Sequence, residues 1–175
     1  MAHEACYTTD QTEFYSIENC FKLNAMVYRM ITLASWLGWM GLMFHFSTRA
    51  WSGANTLSLL EIVLASTFPA LLKFLSAHQL EVLNLLIRKL AHFTEYAVLT
   101  GLGYRAWLIG VQQPQSYAVL LALGCSIMYA IADEIHQSFV PGRTALPTDV
   151  LIDITGALAA VWLITRLRTQ SVQTR

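Results

Sequence analysis

The chain has 175 residues, 55% of them hydrophobic and 13% charged, with a mean hydropathy of +0.48; soluble domains carry about a quarter charged residues, so lipid is the expected solvent. Eleven Lys and Arg balance eleven Asp and Glu, which excludes both a basic field for nucleic acid and a strongly acidic disordered tail. Cys6, Cys20 and Cys125 show no CxxC or Cys/His spacing, so neither a disulfide framework nor a zinc site is expected.

Residues 1–24 contain Glu4, Asp10, Glu13 and Glu18 before any long apolar run. A cleavable secretory signal starts with basic residues and a short apolar core, so this stretch is expected to remain as a polar cytoplasmic tail. No internal repeat, low-complexity tract or Pro/Gly-rich linker divides the rest of the chain. The expectation is one transmembrane domain, 25–168, and a short C-terminal tail, 169–175.

A spanning helix needs roughly 20 mostly apolar residues, because the hydrocarbon core is about 30 Å thick and a helix rises about 1.5 Å per residue. Four segments meet that requirement: Ala25 to Phe46, Leu90 to Gly110, Ser116 to Ile135 and Val150 to Leu167. A fifth, Leu57 to Leu75, is interrupted by Glu61, Pro69 and Lys73. It is expected to be interfacial or re-entrant, with a full crossing as the alternative. The fold class is all-α, a membrane helical bundle.

Lys and Arg are enriched in cytoplasmic loops. With four crossings, one side holds Lys22, Arg29, Arg105, Arg166, Arg168 and Arg175, and the other holds Arg49, Lys73, Arg88, Lys89 and Arg143. Setting Arg88, Lys89 and Arg143 aside as site residues leaves six against two, which places both termini on the cytoplasmic side of the membrane.

Five acidic residues sit at helix ends in the second half of the chain: Glu95, Asp133, Glu134, Asp149 and Asp153. The last three spans bring all of them to one membrane face, and the fifth segment changes only which face that is. Residues three, four or seven apart share a helix face, giving three polar stripes: Arg88, His92 and Glu95; Asp133, His136 and Gln137; Asp149 and Asp153, continued by Gly156 and Ala157. The two small residues allow close helix approach. Pro-Gly before Arg143 forms a turn that can fold a guanidinium over the cluster.

Ionisable groups in membrane segments are costly and usually face one another or a polar cavity. The cluster therefore reads as a site, or as an interhelical ion-pair network. In a membrane enzyme, His92, Glu95, Asp133 and Glu134 can do acid–base work, Asp133, Asp149 and Asp153 can hold a divalent cation, and Lys89 or Arg143 can clamp a phosphate. No HExxH or GxSxG motif is present. The alternatives are a non-catalytic protein that binds an envelope ligand and a small proton-coupled transporter or flippase.

The remaining polar and aromatic positions read more plainly. His45, His78 and Glu61 are expected at the interface or in loops. Trp36, Trp39, Trp51, Trp107 and Trp162 are expected as interface anchors and lipid-facing bulk. Ser47, Ser52 and Ser58 either line the site or serve as caps and loop hydrogen bonders.

The pieces HFSTRAWSGANTLS, RKLAHFTEY, DEIHQSFVPGR and DVLIDITGA, in that order and at these distances, resemble the VanZ-like membrane protein family from about Trp36 to Leu167. The resemblance implies a bacterial cell-envelope role, the family being named for a protein associated with resistance to the glycopeptide teicoplanin. It points to Arg88, Lys89, His92, Glu95 and Tyr96, then Asp133, Glu134, Gln137, Gly142 and Arg143, then Asp149 and Asp153. From it we expect Arg88, Lys89, Tyr96, Gln137 and Arg143 to contact a lipid-linked or envelope molecule. Relatives can carry Asn at the position of Asp153, and many carry Ser or Gly soon after the loop arginine, where this chain reads TALPT.

Overall fold

The computed structural model describes residues 11–173, with side chains described for residues 22–168. Glu4, Cys6, Asp10 and Arg175 lie outside the described residues, as do the side chains of Glu13, Glu18 and Cys20. In chain order the elements are α1 (Gln11–Phe46), a 3-10 turn (Arg49–Trp51), α2 (Gly53–Thr67), α3 (Pro69–Phe74), α4 (Ala77–Arg105), a π turn (Ala106–Gly110), α5 (Gln115–Ser138) and α6 (Pro147–Gln173). No strand occurs among the described residues.

Three boundaries differ from the sequence expectation. Helix α1 begins at Gln11, inside the expected tail. Helix α4 begins at Ala77, well before Leu90, behind a capping box in which Ser76 and Gln79 satisfy each other's backbone N–H. The fifth apolar segment is two helices, broken at Phe68 where Pro69 starts α3, because proline cannot donate into the preceding turn. At 15 residues α2 is about 22 Å long, shorter than the hydrocarbon core.

Among the described residues two helices, α5 and α6 through Arg168, are long and apolar enough to cross a membrane by length and composition. Helix α1 is diluted by Gly38, Gly41, Ser35 and His45, and α4 by the polar residues of the cluster. All the long helices nevertheless turn apolar side chains outward: Met30 and Leu37 on α1, Leu86 and Leu90 on α4, Leu120 and Met128 on α5, Leu151 and Trp162 on α6 are exposed. Thr32, Ser47, Asn84, His92, Ser126, Asp133, Gln137, Asp149 and Asp153 are buried. An apolar outside around a polar inside is the arrangement that lipid favours and water penalises.

Helix α4 is the centre of the bundle and packs against α6, α5, α1 and α2. Its contact with α6 depends on Gly156, where a Cβ would collide with the Phe93 carbonyl. Helix α5 meets its neighbours with Ala118, Ala122, Ser126 and Ala130, one small residue per turn, so the backbones come close. Tyr96, Met43, Leu99 and Ala130 form a packed core just beneath the polar end. Trp39 Nε1 donates to the Glu95 carbonyl at 3.1 Å, Tyr129 Oη to the Met40 carbonyl at 2.7 Å, and Trp36 stacks edge-on against Trp107 at 5.9 Å. Trp36 and Trp39, both half-buried, thus also join helices.

Candidate functional site

The polar stripes of α4, α5 and α6 meet at the end of the bundle where α1 finishes. His92 Nδ1 lies 3.2 Å from Asp153 Oδ1, and both residues are buried. Lys89 Nζ pairs with Asp149 one turn further out. The four residues repeat one relation, since 89 and 92 share a face of α4 and 149 and 153 share a face of α6. With Nδ1 engaged, His92 Nε2 has no protein partner among the described residues. It can accept a proton or a hydrogen bond from a ligand.

Asp133 is held from both sides, by the Ser47 hydroxyl at the end of α1 and by Gln137 Nε2 at 2.9 Å. Of the three serines with two readings, Ser47 does line the site. Ser52 is buried at the start of α2 without a side-chain capping bond, and Ser58 bonds its own helix at Ala54. Glu134, the next residue along α5 and about 100° round the helix, leaves the cluster. Its carboxylate accepts the Leu146 N–H at the start of α6, a cap on that helix.

Pro141 and Gly142 form the expected turn: Gly142 has φ +83° and Arg143 N–H returns to the Val140 carbonyl at 3.1 Å, as a type II turn requires. The turn carries Arg143 inward, where a terminal nitrogen donates to the Phe46 carbonyl. Its Nε is buried and unpartnered. Burial lowers the Arg143 pKa, Arg88 lowers it further, and Asp133, Glu95 and Glu134 oppose both.

These residues surround a cavity of about 410 Å³ between α2 and α4. Its polar floor comprises Ser47, Arg88, His92, Glu95, Gln137 and Arg143; its apolar wall is Phe46, Leu59, Leu60 and Val63 facing Ile87 and Ala91. A hydrogen bond from Asn84 Nδ2 to the Gly53 carbonyl, 3.0 Å, fixes the start of α2 against α4. A smaller cavity of about 170 Å³, lined by Leu85, Lys89, Thr144, Leu146 and Asp149, also includes Arg88 and His92.

The sequence-derived set is therefore divided by its surroundings. Arg88, His92, Glu95, Gln137 and Arg143 share the larger cavity; Lys89 and Asp149 share the smaller one with Arg88 and His92. Asp133 and Asp153 stand behind the floor, holding Ser47 and Gln137 or His92. Tyr96 is fully buried in the core and lines neither cavity. Asp133, Asp149 and Asp153 each answer a different partner, and among the described residues no three His, Cys, Asp or Glu side chains form a group placed to hold a metal ion. The wall from α2 is the part that sequence reasoning misses. Its signal is the apolar spacing of Leu59, Leu60 and Val63, which composition alone assigns to lipid.

The VanZ/LLP1 family model matches residues 32–168, which takes in every residue of both cavities. No curated protein and no solved structure matches the chain.

Proposed function

The chain belongs to the VanZ/LLP1 family, and from that premise together with the half-polar, half-apolar cavity we propose that it is a bacterial envelope membrane protein that binds an amphiphile. The reading is carried by the cavity itself. Charged and hydrogen-bonding groups occupy one part, and leucine, isoleucine and valine side chains run along the rest. A headgroup fits the first and an acyl or prenyl chain the second, since specific sites combine apolar lining with a few placed polar groups.

In this reading α1, α4, α5 and α6 cross the inner membrane, α2 and α3 lie at its outer part, the cavity opens at the outer face, and both termini are cytoplasmic. The molecule bound is a lipid or lipid-linked envelope component. Any contribution to teicoplanin tolerance, the phenotype associated with the family's name, would act through this cavity. Binding needs only the residues on its floor and wall, whereas proton-coupled transport needs a second polar path. Among the described residues the opposite half of the bundle offers the Thr100–Ser126 hydroxyl pair and no comparable carboxylate chain.

The test is retention of a bound amphiphile. Native mass spectrometry of the purified full chain should show a lipid adduct that is reduced in Leu60→Trp, which fills the wall. No adduct in either protein, or equal adducts in both, would contradict the reading.

A further inference from the structure

The floor of the cavity holds two guanidinium groups from different parts of the chain. Arg88 comes from α4 and Arg143 from the α5–α6 turn. They are near enough that Arg88 is the leading charged influence disfavouring the cation at Arg143. Proteins seldom gather like charges without a counterion. The local carboxylates spend their direct bonds on other groups, Asp149 on Lys89, Asp153 on His92, Asp133 on Ser47 and Gln137, Glu134 on the Leu146 N–H, so Asp133, Glu134 and Glu95 favour the Arg143 cation only through space. Among the described residues Glu95 is the sole acidic one on the cavity lining, and no salt bridge joins it to either arginine.

Arg88 makes no hydrogen bond or ion pair among the described residues, and Arg143 keeps a buried Nε without a partner. Donor capacity is thus left open on both groups. The backbone makes room for it: a Cβ on Gly53 would stand 2.9 Å from Arg88 Nη1, so glycine at the start of α2 lets the guanidinium lie against that helix. The first turn of α2 contains no acidic residue, and its unsatisfied N–H groups add to the positive potential there.

We propose that Arg88 and Arg143 together bind the phosphate of a phosphate-bearing amphiphile, with His92 Nε2 beside them and the chain of the ligand along Leu59, Leu60 and Val63. The inference rests on the amphiphile reading and specifies its headgroup. A carboxylate satisfies one guanidinium by a two-point bond, whereas a tetrahedral phosphate has enough oxygens to bridge two guanidiniums approaching from different elements.

The experiment is calorimetric binding to the full chain in a neutral maltoside detergent, with dodecyl phosphate, inorganic phosphate and neutral monododecyl glycerol as probes. Wild type should prefer dodecyl phosphate over both other probes by at least about tenfold. Arg88→Gln and Arg143→Gln should each weaken it about tenfold or more, the scale of a lost charged hydrogen bond. Arg49→Gln, an exposed cation, should leave it unchanged. Arg88→Lys, which keeps the charge and loses the fork, should fall between wild type and Arg88→Gln and guards against a folding failure in the latter. Equal binding of dodecyl phosphate and monododecyl glycerol, unmoved by either arginine change, would overturn the phosphate assignment and leave the amphiphile reading standing. Inorganic phosphate binding as tightly as dodecyl phosphate would overturn the amphiphile reading and keep the anion site. No binding of any probe would overturn both.

Discussion

His92 on α4 and Asp153 on α6 meet through a single 3.2 Å contact, Nδ1 to Oδ1, in the buried polar end of the bundle. That contact orients the imidazole of a residue that lines both cavities. Asp153→Asn keeps an oxygen acceptor for Nδ1–H, whereas Asp153→Ala strands a buried donor at a cost of about 1–3 kcal/mol. Thermal melting of the detergent-solubilised protein should therefore fall further for Asp153→Ala than for Asp153→Asn. Equal losses would mean that the carboxylate charge, not the hydrogen bond, holds the ring.

The Lys89–Asp149 pair should show strong coupling. Asp149 is only 5% exposed, so Lys89→Met leaves a buried carboxylate unpaired, at a cost of about 3–5 kcal/mol. Adding Asp149→Asn should recover part of that loss, measured as a double-mutant cycle in chemical denaturation. Additive losses would show that the two side chains do not depend on each other.

Gly156→Ala should be among the most damaging changes of one methyl group in this chain. The new Cβ meets backbone at Phe93, not a flexible side chain, so α4 and α6 must separate and the His92–Asp153 contact with them. A loss of about 3 kcal/mol or more is expected, at or beyond the usual overpacking range. It would be read as reduced folded yield and a lower melting temperature, while Gly124→Ala, with nothing within 4 Å of its Cβ, should be nearly neutral.

Gly142→Ala should be milder. At φ +83° a Cβ adds about 1–2 kcal/mol of backbone strain, enough to loosen the turn that carries Arg143. Amphiphile affinity is expected to drop by a larger factor than stability alone accounts for, because Arg143 lies on the cavity floor. An unchanged affinity would separate the turn from the site.

Much of this architecture is legible in the sequence because lipid imposes long apolar runs, and because the stripes on α4, α5 and α6 follow helical spacing. Pro69 announces the break between α2 and α3. Other features needed the folded chain. Asp133 and Glu134 are adjacent letters, yet helix geometry sends one to the buried cluster and the other to cap α6. Tyr96 follows His92 by one turn on the same face, and depth alone makes it core. Leu59, Leu60 and Val63 carry no distinct site signal in the sequence because a cavity wall and a membrane face select the same side chains. The interhelical contacts of Trp36 and Trp39 have no signal in the sequence.

The most direct measurement is the map of covalent adducts left by a photoreactive acyl chain bearing a phosphate headgroup, read residue by residue on the purified full chain. Adducts should concentrate at Leu59, Leu60, Val63 and Ile87, and should fall sharply at these positions in Arg143→Gln at the same probe concentration. Adducts spread instead over the outward leucines of α6, such as Leu158 and Leu163, and indifferent to Arg143, would contradict the account.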